Sequence, residues 1–209
     1  VDKTEEPEKK KANSFKKKFE DRLEKYRMYS CITDLSSTSR RYFVIGFFDG
    51  VLTILGMIMG AHLSGQATPQ LIISAGIATG LALGISSGWG AYEAEKIEQT
   101  IMMREKQKAM LVEKSSAVSK AHVFATYISS LVHAFAPIPA AFIPLIPYFF
   151  MEVEEALIPA VVMGLSSLFV VGAFMGKISK RNILIAGLRM MLAGLITLGV
   201  VTILNPSHF

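Results

Sequence analysis

A single cysteine, Cys31, stands in 209 residues. That excludes an internal disulfide and leaves no thiolate cluster for structural zinc. Tryptophan is as scarce, with Trp89 alone. Charge is the more informative absence. Across residues 42–92, 121–151 and 156–209 the only carboxylate side chain is Asp49. No Ser/His pair with a base, no paired acids at one depth and no zinc-protease motif is present, so an intramembrane enzyme has little to work with. Nucleic-acid binding also lacks a motif, and the net charge of +5 suits loops lying near anionic lipid.

What remains is apolar and blocky. The chain is 51% hydrophobic with a mean hydropathy of +0.41, too much for one water-soluble globule. Of 22 Lys+Arg, twelve fall in residues 1–41, six in 93–120, three in 177–181, and the last is Arg189. Of 17 Asp+Glu, eight, five and three fall in 1–41, 93–120 and 151–156, leaving Asp49. The pattern predicts an all-α integral membrane protein with five spans, about 42–63, 71–92, 121–150, 156–175 and 183–204. Each reaches the roughly 20 residues that a hydrocarbon core demands. The third span carries Pro137, Pro139, Pro144 and Pro147 and should bend near its middle. Splitting it would give two halves too short to cross and would move Lys177–Arg181 to the side opposite the other basic segments. Unsplit, the basic segments share one side, which predicts a cytoplasmic N-terminus. The first 40 residues are charged rather than apolar, so no cleavable signal is expected in them.

The cytoplasmic segments suggest less. Residues 1–12 read as an unstructured Lys/Glu-rich lead. Residues 14–30 place Phe15, Phe19, Leu23 and Tyr26 at helical spacing opposite Lys16, Lys17, Arg22 and Lys25, as in a helix lying on the membrane or packed on its own chain. In the loop 93–120, Glu95, Glu98 and Glu105 fall on one side of a helix continuing from the second span. Interleaved Lys96, Arg104, Lys106 and Lys108 fit an ion-paired solvated surface equally well.

Within the membrane, polar groups are few enough to weigh singly. Asp49 lies eight residues past Arg41, about 12 Å deep, where a carboxylate is costly unless a cation, a proton or water attends it. Thr53 is one turn further in. Ser86 and Ser87, on a span running the other way, lie at about the same level, and Glu93, Glu95 and Glu98 lie nearer the cytoplasmic mouth. Together they outline an oxygen-rich vestibule, suited to Fe²⁺ or Mn²⁺ rather than to a thiolate-seeking ion. Met57 or Met59 could add a thioether, although methionine also simply fills cores. His133 could be a ligand or proton relay, or a neutral imidazole bonded to a carbonyl freed by the prolines. His62 and His208 look interfacial. Arg189 lies eight residues past Arg181 and so at a depth like that of Asp49; a permanent Asp49–Arg189 pair would neutralise both and leave a non-transporting membrane scaffold. Glycines at intervals of four, Gly76, Gly80, Gly84 and Gly88 with Gly46 and Gly50, predict that the first two spans pack tightly on each other or on a copy.

The stretch Val44-Ile45-Gly46-Phe47-Phe48-Asp49-Gly50-Val51-Leu52-Thr53 resembles the first-helix signature of the vacuolar iron transporter family. So do Ala75-Gly76-Ile77-Ala78 and Gly84-Ile85-Ser86-Ser87-Gly88-Trp89-Gly90-Ala91-Tyr92 in the second helix, and Ile143-Pro144-Leu145-Ile146-Pro147-Tyr148-Phe149-Phe150 later. The resemblance implies a homodimer with its path along the subunit interface. It also implies proton-coupled export of Fe²⁺ or Mn²⁺ from the cytosol, across the cell membrane or into a vacuole. Metal is then substrate, with no permanently bound cofactor, and Asp49 is the exchangeable metal/proton site. Ser87 falls where many members have a methionine, and the large Glu-rich cytoplasmic domain is reduced to residues 93–120. Glu98 aligns with one acid of the second-helix extension.

Overall fold

The computed structural model describes residues 28, 33–108 and 117–204. The expected amphipathic helix, Cys31 and His208 lie outside them. The described residues form helices and short connections without a strand: α1 (Leu35–Leu63), α2 (Pro69–Lys108), α3 (Ala117–Phe135), α4 (Pro137–Leu145), a 3-10 turn (Ile146–Phe149), α5 (Val153–Ile178) and α6 (Ile183–Ile203). Five stretches are long and apolar enough to cross a membrane, with α3, α4 and the 3-10 turn counting as one, Ser119–Phe149.

Local chemistry sets the ends. α1 stops where Gly65 turns to φ 68° and its N–H bonds the His62 carbonyl at 3.1 Å, a left-handed terminus that glycine adopts without strain. Thr68 Oγ1 then accepts from Leu71 N–H at 3.2 Å, and Pro69 opens α2 at a position where its missing N–H costs nothing. The α5–α6 hairpin closes through Arg181 N–H to the Gly176 carbonyl at 3.0 Å, while Asn182 Oδ1 caps Leu184 N–H at 3.0 Å. Glu154 and Glu155 in the first turn of α5 and Lys177 in its last complement its dipole.

α2 runs on well past the end of the expected span at Tyr92, as the helical continuation considered for Glu95, Glu98 and Glu105 requires. Its 40 residues span about 60 Å, twice a hydrocarbon core. Residues 93–108 contain neither Gly nor Pro and are rich in Glu, Lys, Gln and Met, so nothing in them stops the helix.

α1 lies at the centre and touches every other helix. Val51, Ile54, Leu55 and Ile58 are fully buried in two adjoining cores. The glycines, however, do not join α1 to α2. Both sets face the bent third span. A Cβ on Gly50 would lie 2.9 Å from Ala140 Cβ, and one on Gly46 3.0 Å from Ala136 Cβ. On α2, Gly80 meets Ala141, and Gly84 and Gly88 meet Ala134 at 2.5 Å. The bend explains the choice. Pro137 has no N–H to give to the His133 carbonyl, so α3 ends there, and the alanines around the break offer a surface without side chains that glycines can approach closely.

Gly84→Ala or Gly50→Ala should therefore lower stability by about 1–3 kcal/mol through overpacking. Gly199→Ala, with nothing within 4 Å of the added carbon, should be neutral or slightly stabilising. Thermal unfolding of the full chain in detergent, followed by circular dichroism, distinguishes them; equal melting temperatures for all three would reject the wedge.

Candidate functional site

Because Gly46 and Gly50 turn into α3–α4 and Val51, Ile54, Leu55 and Ile58 into the core, one arc of α1 stays open. It carries Ile45, Asp49, Thr53, Gly56 and Gly60; Ile45, Asp49 and Gly60 are exposed, Thr53 and Gly56 half-buried. On one side α6 approaches, with Val201 Cγ2 3.8 Å from a carbon placed on Gly56. On the other, near the basic end of the bundle, Tyr42 ties α1 to α2 through Glu95. Asp49 lies on this arc between Tyr42 and Gly56 and is exposed. Among the described residues it has no ion pair and no hydrogen bond.

Arg189 is exposed on α6 and likewise has no ion pair among the described residues. The considered Asp49–Arg189 clasp is not formed there. No group of three or more His, Cys, Asp or Glu able to hold a metal ion occurs among the described residues. A single carboxylate is too few donors for a divalent cation that takes several oxygens.

The other candidates scatter. Ser86 is exposed and Ser87 half-buried on α2; neither bonds Asp49. Glu95 is turned inward, accepting from Tyr42 OH at 2.7 Å with Arg41 Nη2 at 3.9 Å. Glu93 pairs with Lys96 at 3.9 Å, while Glu98 and Glu105 are exposed. The expected row of 95, 98 and 105 is therefore divided between an interhelical contact and the outer surface. Met57 and Met59 pack beside the two cores, and Tyr148 of the proline-rich motif is 2% exposed within one of them.

His133 sits at the break rather than beside Asp49. Its Nδ1 lies 2.9 Å from the Tyr42 carbonyl, and since a carbonyl only accepts, Nδ1 carries the hydrogen. The rings of the two residues lie 5.1 Å apart. A carbonyl bond was one expectation for this imidazole, but the acceptor belongs to α1 rather than to the proline-broken helix. His133, Tyr42 and Glu95 thereby connect α3, α1 and α2 near Arg41.

A further feature escaped the glycine pattern. Ser74, Ala78, Ala82, Ser86, Gly90 and Ala94 recur every four residues along α2, and all are exposed. This second small-residue stripe lies opposite the one that holds α3–α4. Its signal was present in the sequence, masked by mixed residue types.

A model of the VIT family matches residues 40–129 and 93–204. A protein of Methanocaldococcus jannaschii described only as uncharacterized is 34% identical over 173 residues, 81% of this chain and 89% of that protein.

Removing the phenol in Tyr42→Phe should cost about 1.5 kcal/mol or more, as for a hydrogen bond to a charged group. Glu95→Ala should cost at least as much, and the double variant little beyond the larger single effect. Denaturation in detergent measures this; strict additivity would mean that the two groups do not act as a pair.

Proposed function

The chain belongs to the VIT family, a family of membrane metal-ion transporters, and from that premise we propose that it moves Fe²⁺ or Mn²⁺ out of the cytosol in exchange for protons, with Asp49 as the exchangeable site. As a multi-pass integral membrane protein it has its charge islands arranged for a cytoplasmic N-terminus under the positive-inside pattern. One observation carries the assignment of the site. The carboxylate of Asp49 is exposed about two turns inside the membrane and has no partner in its own protomer. A carboxylate facing lipid there is costly, so the open arc of α1 calls for a cover.

A second copy supplies it most simply. The exposed small-residue stripe of α2 allows close helix approach in lipid, and Ser86 lies on that stripe at the level of Asp49. Packing α1 of one protomer near α2 of its partner would gather oxygen ligands from both. Metal and protons then compete for the same carboxylate oxygens. Facing the cytosol, Asp49 takes the ion and releases a proton; facing the other side, protons displace the ion. Residues 93–108, extending α2 beyond the membrane with Glu98 and Glu105 exposed, offer carboxylates near the entrance.

In liposomes carrying a pH dye, Asp49→Asn should reduce Fe²⁺- or Mn²⁺-driven proton movement at least about tenfold, the effect of losing a charged ligand worth roughly 1.4 kcal/mol or more. Helicity and melting temperature should be kept, since Asp49 has no hydrogen bond or ion pair among the described residues. Proton movement equal to the parent's would remove Asp49 from the mechanism.

A further inference from the structure

On the outer side of the bundle, α2 and α3 leave a groove that changes character along its length. Its deeper part, between Ile85, Trp89 and Tyr92 of α2 and Tyr127 and Leu131 of α3, holds about 470 Å³ and is apolar. Immediately beyond, Lys96, Thr100 and Arg104 of α2 face Ser119, His122 and Val123 of α3 around a cavity of about 420 Å³. The two lie end to end along the same pair of helices. Tyr92 to Lys96 and Val123 to Tyr127 are each one helical turn, so the same faces continue from one part to the next.

The junction is aromatic. The Tyr92 and Tyr127 rings lie 5.3 Å apart with their hydroxyls 3.5 Å from each other, Trp89 packs 6.4 Å from Tyr92, and Lys96 Nζ stands 5.4 Å over the Tyr92 ring. Trp and Tyr gather at the boundary between hydrocarbon and headgroups. The cavity with the basic residues therefore begins at headgroup level. Among the described residues its lining includes Lys96 and Arg104 and no carboxylate. Glu93 pairs with Lys96 from outside that lining at 3.9 Å, with both side chains about half exposed, so solvent already weakens that pair. Gln99 holds the wall closed by donating to the His122 carbonyl at 2.7 Å and to Thr126 Oγ1.

We propose that this groove is a binding site for an anionic phospholipid, its phosphate beside Lys96, its polar headgroup toward Thr100 and Arg104, and an acyl chain along Trp89, Tyr127 and Leu131. Each part has the volume of a small-molecule site, and the order apolar, aromatic, cationic matches chain, ester and phosphate. Basic cavities between spans at a membrane face recognise such headgroups by charge. A soluble phosphate would use only the upper part and leave the apolar half without a role. The inference is independent of what the protein transports.

Trp89, the single tryptophan, lies in the groove and is 69% exposed, so its fluorescence reports the occupant. The full chain is reconstituted in phosphatidylcholine vesicles containing a fixed fraction of lipid with brominated chains, either phosphatidylglycerol or phosphatidylcholine. Brominated phosphatidylglycerol should quench Trp89 with a preference of about fivefold, the scale set by one or two basic groups at a membrane surface. Lys96→Gln with Arg104→Gln should abolish the preference, while Lys177→Gln with Lys180→Gln, at the same end of the bundle, should keep it. Equal quenching by the two lipids, or an unchanged preference in the Lys96/Arg104 variant, would overturn the proposal. So would loss of the preference on adding millimolar glycerol phosphate, which would identify a headgroup-anion site alone.

Discussion

The contact on which the rest of this bundle depends is the wedge of the proline-broken third span between α1 and α2. Pro137 ends α3 because it cannot donate to the His133 carbonyl, and α4 continues at once from a buried Ala136. The break would leave a poorly packed surface if its neighbours carried bulk. Instead Gly46 and Gly50 approach from α1, and Gly80, Gly84 and Gly88 from α2. In a bilayer, where burial from water contributes nothing between helices, this closeness is itself the source of attraction.

The same contact aims the carboxylate. On a helix of 3.6 residues per turn, residue 49 lies about 60° around from residue 46 and about 100° from residue 50, so it sits at the flank of the face that the two glycines share. Once the glycines are seated against α3–α4, Asp49 falls at the edge of that contact, where it is exposed. Leu55 against Gly164 of α5 holds α1 from the other side, so little rotation is available. The packing leaves this membrane carboxylate exposed, without a hydrogen bond or ion pair among the described residues.

At the basic end, the side chains serve a different purpose. Tyr42, Glu95 and His133 link three helices through hydrogen bonds at 2.7 and 2.9 Å, and the extended α2 carries its charges outward. Acid in this region is partly structural, as the inward turn of Glu95 shows, and partly free on the surface, as with Glu98. The groove beside it meets lipid rather than ion, so one helix has three distinct faces: glycine toward the wedge, small residues outward, and an aromatic–basic edge.

Much of this was legible before any coordinates. Five apolar runs between charge islands determined a five-span helical membrane protein, because runs of about 20 residues fit spanning helices, which satisfy their own backbone in hydrocarbon, and are too long for barrel strands. Isolation of Asp49 marked it as the residue to watch, because intramembrane acid is rare. Prolines 137 and 139 announced the bend. Which surfaces the glycines would meet was not legible: spacing of four gives a face, and only tertiary packing says what that face touches. The Tyr42–Glu95 bond spans 53 residues of sequence, and no local pattern encodes such a pairing. Nor could periodicity say whether Asp49 and Arg189 would join, since both lie at one depth on separate helices. Depth follows from counting residues along a helix; direction is decided by how neighbouring helices pack, and packing left that pair unmade.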